Sequence, residues 1–172
     1  LFSVKRKALG GLFAVIGLLA VGLIGTRIFM GREAEDRVAE GEIAEFGHLP
    51  AVAKPSRFLM CPKDYCSRSP DALSPVFDME WERLRDFWSE TVARQRRVKL
   101  IAGDGDRRKI TYVQHSALLR LPDIVTIEFV ELPDGKSSFA IESRSRFGWL
   151  DFGTNAARVR DWVGLLQSVA KP

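Results

Sequence analysis

The sequence is poor in the residues that most enzymes use for chemistry. Among its 172 residues there are only two histidines, His48 and His115, and two cysteines, Cys61 and Cys66. There is no HExxH helix for a zinc hydrolase and no GxSxG elbow for an α/β-hydrolase serine. Gly148 and Gly153 are too widely spaced, and stand in the wrong strand context, for a Walker or Rossmann phosphate loop. Asp104 and Asp106 suggest calcium, but an EF-hand loop needs several more oxygen ligands and a distal Glu, so a turn is the better reading. No metal or cofactor is expected. A Ser-His-Asp triad is not excluded by these absences, because its members need only meet in space. Nor is the charge one-sided. Lys and Arg number 26 against 22 Asp and Glu, and a net charge of +4 does not by itself imply nucleic acid.

One stretch lacks charge altogether. From Ala8 to Thr26 no side chain is ionisable, and Ile28 to Met30 continue the apolar run beyond Arg27. About 20 residues at 1.5 Å rise cross a hydrocarbon core of roughly 30 Å. An uncleaved transmembrane anchor over residues 1–31 is therefore expected, in preference to a signal peptide or an ordinary buried helix. Lys5, Arg6 and Lys7 favour a cytoplasmic N-terminus, so the rest of the chain is expected in the periplasm of a bacterial inner membrane. At 100° per residue Gly10, Ala14, Gly17, Val21 and Gly25 share one stripe, a surface suited to close packing against other transmembrane subunits. The first residue is Leu rather than Met, so the chain is expected to begin inside a longer encoded one.

Residues 32–57 are charged and then broken by Gly47, Pro50 and Pro55, which reads as a linker or stalk. Residues 58–172 read as an α+β domain. Its first part, Phe58 to Pro75, shows no periodicity and is expected to be loop. Asp78 to Gln95 reads as a helix, with Trp81, Leu84, Trp88 and Val92 at helical spacing and Asp78 as its cap. Four strands follow, Val98 to Ala102, Lys109 to His115, Ile124 to Glu131 and Ser137 to Arg144, separated by short turns. Asn155 to Val169 closes the chain as a second helix. The expected architecture is an antiparallel four-stranded meander with two helices on one face, preceded by the transmembrane helix.

Cys61 and Cys66 stand five positions apart, a spacing that closes a small disulfide loop in an oxidising compartment. Reduced structural thiols and metal or redox use are the alternatives. The densest polar motif runs from Ser143 to Asn155. Within it Arg144, Arg146, Trp149, Asp151 and Asn155 are candidates for contact with a partner or an anion. Against that, Asp151 has Arg146 or Arg158 as a ready partner, Asn155 is placed to cap the last helix, and Arg120 to pair with Asp123. The mixture of Arg144, Arg146, Phe147 and Trp149 is also that of a nucleic-acid stacking platform. A periplasmic domain has no such ligand, which leaves lipid headgroups or a protein.

Several of these motifs recur in a known order. Cys61-Pro62 with Tyr65-Cys66, Ser74-Pro75-Val76-Phe77, Tyr112-Val113-Gln114, Pro122-Asp123, Ser143-Arg144-Ser145-Arg146 and Asp151-Phe152-Gly153-Thr154-Asn155 resemble domain-of-unknown-function family 1499. The resemblance runs from about Arg57 to the C-terminus. It implies a bacterial envelope or organelle domain without established enzymatic activity, and it supplies no catalytic residues. The expected function is therefore a non-catalytic accessory subunit of an inner-membrane complex, with respiratory or photosynthetic electron-transport assemblies the first to search. A periplasmic carrier of lipid or another small ligand is the second expectation. An envelope hydrolase built on His115 is the third.

Overall fold

The computed structural model describes residues 15–22, 24–25, 43–51, 55–117 and 120–170. One mixed sheet of six strands organises the domain: β1 (Arg57–Cys61), β2 (Ala72–Leu73), β3 (Val98–Gly103), β4 (Lys109–His115), β5 (Pro122–Leu132) and β6 (Lys136–Ser145). Their order across the sheet is β2-β1-β6-β5-β4-β3. The antiparallel meander β3–β6 is the expected one, and its turns fall at Gly103–Asp106 and Pro133–Gly135.

Two further strands correct the four-strand expectation. The stretch expected to be loop contains β1, which pairs antiparallel with β6 (Leu59 opposite Glu142), and β2, which adds parallel to β1 (Met60 opposite Ala72). The reason lies in burial on both faces. Phe58, Leu59, Met60 and Cys61 are all 6% exposed or less, so the strand carries an unbroken apolar run instead of an alternation. Such a run has no period to betray it.

Both domain helices lie on one face, as expected. The tryptophan helix (Trp81–Ala93) buries Trp81, Leu84, Trp88 and Val92, and the C-terminal helix (Thr154–Val169) buries Val159, Trp162, Val163 and Leu166. They meet the inward residues of four strands: Phe58 and Met60, Ile110 and Tyr112, Val125, Ile127 and Phe129, Phe139 and Ile141. Trp88 is the centre of this layer. Its ring lies 5.8 Å from that of Trp162, edge to face, and 6.2 Å from Phe139. The expected cap Asp78 is corrected. The helix begins at Trp81, and its N-cap, Glu80, makes no side-chain capping bond.

The outer sheet face has a smaller cover. Ala44, Phe46 and Leu49, from the stretch expected to be linker, pack with Leu59, Cys61 and Ala140. Lys109 ties this segment down, its Nζ lying 2.8 Å from Glu45 and 3.5 Å from Glu128. Tyr65 donates to Glu128 at 2.9 Å, and burial beside that carboxylate pushes its phenol up to about 12.

The expected anchor falls mostly outside the described residues, Gly10 and Ala14 with it. Residues 15–22 and 24–25 are helical with exposed side chains, and an added Cβ at Gly17 or Gly25 would meet nothing within 4 Å. Among the described residues no helix is long and apolar enough to cross a membrane.

Candidate functional site

At one end of the sheet the helix-facing residues turn polar. Gln114, Asp123, Ser143 and Ser145 continue the inward rows of β4, β5 and β6, where Tyr112, Val125 and Ile141 stand one step earlier. The C-terminal helix lays its first turns over them. It contributes Asn155, fully buried, and Arg158, only 8% exposed.

Burying a guanidinium is expensive unless every donor is met. Here Arg158 pairs with Asp123 through Nη2 and donates from Nε to Gln114 Oε1. Its Nη1 donates to Ser143 Oγ at 2.8 Å and to Asn155 Oδ1 at 2.6 Å. The second oxygen of Asp123 accepts from Ser145 Oγ at 2.7 Å. Asn155 Nδ2 donates to Ser56 O at 3.0 Å and to Asp151 Oδ2 at 2.7 Å. One closed network thus joins β4, β5, β6, the helix start and Ser56, the residue just ahead of β1. The expected local pair of Arg120 with Asp123 is corrected, for Asp123 faces Arg158 and Arg120 is exposed.

Asp151 closes the loop before the helix. Its carboxylate accepts the backbone N–H of Asn155 at 2.8 Å and that of Gly153 at 3.1 Å, two donors a helix start leaves without intrahelical partners. Burial pushes its carboxyl up, but the bonds from Asn155 and Gly153 outweigh that, and the net shift is downward. Asp151, not Asn155, is the capping group, and Asn155 bonds it through both backbone and side chain.

The segment held this way is apolar and open. Trp149 is 62% exposed, Leu150 63% and Phe152 94%. Phe152 also has a left-handed backbone, φ 52°, followed by Gly153 at φ 79°. A side chain larger than hydrogen costs roughly 1–2 kcal/mol in that region. Phe152 therefore occupies a strained position and buries almost nothing, a combination that points to function over packing. Beside it Arg146 lies 5.6 Å over the Phe147 ring. Arg144 projects on the outer sheet face, its Nε 3.7 Å from Glu142, whose other oxygen pairs with Arg57.

The candidates from sequence thus divide. Trp149 and Arg146 belong to the open loop, Asp151 and Asn155 to its support, and Arg144 to the opposite face. Arg158, Ser143, Ser145 and Gln114 complete the support and were not among the candidates for partner or anion contact. A signal for Arg158 existed: a charge at helical spacing from Asn155, Trp162 and Leu166 sits on the apolar stripe, and a buried charge needs a partner.

Cys61 and Cys66 form a disulfide, Cα–Cα 6.3 Å, under the 3-10 turn Phe46–His48. Among the described residues no group of three or more His, Cys, Asp or Glu is placed to hold a metal ion. A shallow depression of 530 Å³ borders the polar network, with Gln114, His115, Ser116, Phe152, Arg158 and Asp161 among its lining. The Ser116 hydroxyl there accepts the Leu121 N–H at 3.0 Å.

The family model described as "Protein of unknown function (DUF1499)" matches residues 52–166, which takes in the whole sheet, the loop and the polar network. The chain belongs to the DUF1499 family. The match confirms the resemblance drawn from the cysteine, Ser-Arg-Ser-Arg and Asp-Phe-Gly-Thr-Asn motifs, and in this DUF1499 domain the last two lie in the loop and its support. No curated protein matches the chain.

Proposed function

We propose that this DUF1499 chain is a non-catalytic accessory subunit of a bacterial inner-membrane complex, and that the loop from Arg146 to Phe152 docks a protein partner. The observation carrying the reading is Phe152, an aromatic side chain held 94% exposed on a left-handed backbone. Trp149 and Leu150 extend the apolar patch, and Arg146 sets a cation at its margin. Aromatic and Arg side chains are the types that dominate binding energy at protein interfaces. The polar residues beneath them already satisfy one another, which favours a supporting role for that network over a catalytic one.

The membrane location rests on hydropathy, the uncharged run from Ala8 to Thr26, and the periplasmic side on Lys5, Arg6 and Lys7. Other transmembrane subunits are the partners proposed for the Gly10, Ala14, Gly17, Val21 and Gly25 stripe. Electron-transport complexes are the assemblies to search first.

Cross-linking mass spectrometry in native membranes tests the docking. Cross-links from the neighbourhood of Trp149 to one integral-membrane subunit are expected, and Phe152→Ser should abolish them while the domain stays folded. Recovery of the chain alone and monomeric from mild detergent would reject the complex. A phosphatase fused at the C-terminus and found inactive would reject the periplasmic side.

A further inference from the structure

An open groove of 410 Å³ runs between the tryptophan helix and the β3–β4 hairpin, away from the loop. Val92, Val98, Leu100 and Ile110 form its apolar wall, and Tyr112 and Arg107 stand at its polar end. We propose that this groove binds a single-chain amphiphile with an anionic head, its tail against Val98 and Leu100 and its head at Arg107 and Tyr112.

Several independent features support this. The volume lies at the lower end of the roughly 300–1,000 Å³ typical of small-molecule sites, room for one acyl chain and not two. Leu100 is 49% exposed although it faces an apolar wall, so a tail laid on it would remove apolar surface from water. The lining contains one acid, Asp104, which is held back at the hairpin turn, both its carboxylate oxygens accepting the backbone N–H of Lys109 at 3.0 Å. Arg107 is the one cation of the lining, and among the described residues its guanidinium has no ion-pair partner. The Arg107 guanidinium is therefore the group that an anionic head would meet.

The floor adds a hydrogen-bonding end. Tyr112 is buried, which raises its phenol above the usual value, while Trp88 and Arg107 pull it back, so both lie close to the hydroxyl. The Trp88 indole N–H points at the Tyr112 oxygen from beneath the groove. An oxygen of the bound head would accept the Tyr112 O–H. None of Arg146, Trp149 and Phe152 lines this groove, so the site stands or falls separately from the docking loop.

The test uses the full chain in lipid nanodiscs with a diazirine-bearing dodecanoate, the labelled peptides being mapped by mass spectrometry. Label is expected on peptides holding Val92–Leu100 and Ile110–Tyr112, displaced by unlabelled dodecanoate and not by dodecanol. Arg107→Gln should lower that labelling about tenfold. Val98→Glu, which places a charge in the tail path, should abolish it, with circular dichroism confirming that the variant is folded. Should Val98→Glu unfold, Leu100→Glu on the exposed edge strand takes its place. Labelling confined to residues 8–30, displacement by dodecanol as readily as by dodecanoate, or equal labelling of the groove in Arg107→Gln would overturn the proposal.

Discussion

Replacing Arg158 by Leu removes the centre of the buried polar network and is the sharpest test of how the domain is held. The partners lie inside the protein, with the Arg158 and Asp123 side chains only 7% and 8% exposed. Removing one member of a buried ion pair strands the other, a loss of about 3–5 kcal/mol. Ser145 still donates to Asp123, which offsets part of the loss, but Gln114 Oε1 and Asn155 Oδ1 each lose a donor. The lower half of that range, about 3–4 kcal/mol, is therefore expected. At about 2–4 °C per kcal/mol for a chain of this length, the melting temperature should fall by roughly 6–16 °C. Urea unfolding of the full chain in mild detergent, followed by tryptophan fluorescence, measures it. Asp123→Asn should cost a similar amount, and the double variant less than the two single losses added, by at least about 1 kcal/mol. A single loss below about 1 kcal/mol, or strict additivity, would refute the claim that the network is a coupled, desolvated unit.

Trp88→Ala should destabilise the chain by about 3–5 kcal/mol, because the ring is fully buried between Phe139 and Trp162, and thermal unfolding reads it directly. Asp151 has a folded pKa below its unfolded one, so its stabilisation is present above about pH 4 and is lost as the pH falls through the lowered value. Asp151→Asn should therefore flatten the stability profile on the acid side of pH 4 while leaving its shape above pH 5 unchanged. Reduction of the Cys61–Cys66 bond, or Cys66→Ser, opens a loop of sequence separation 5 and should cost about 2 kcal/mol in urea titrations. A reduced and an oxidised sample with the same midpoint would remove the disulfide from the account of stability.

Much of the fold was legible because its elements follow single rules. The meander β3–β6 has alternating residues and turn chemistry at each end, and both helices repeat their tryptophans and aliphatics at helical spacing. What escaped did so for stated reasons. β1 is sandwiched between the helices and the Ala44–Leu49 cover, so its four apolar residues carry no period. β2 has two residues, too few for any pattern. Asp78 resembled a cap by residue type, yet it lies in a bend, and an extended Glu80 is the last residue before the helix begins. The site was half legible. The run from Arg144 to Asn155 showed itself by composition, but the roles within it depend on Asp123 and Gln114, brought in by strand register from positions 32 and 41 residues before Asn155. Local pairing is the natural guess from a sequence, and here long-range pairing prevailed because the guanidinium is buried.

The borders of the sheet bear on how this domain meets other molecules. One border is β2, two residues long, and the other is β3, whose register shifts between Leu100 and Ala102 and which carries Lys99 outward. A neighbouring chain seeking to extend the ladder would find no long regular row of free amides and carbonyls at either side. Copies of the domain are thus protected from joining strand to strand into fibrils, however concentrated they become.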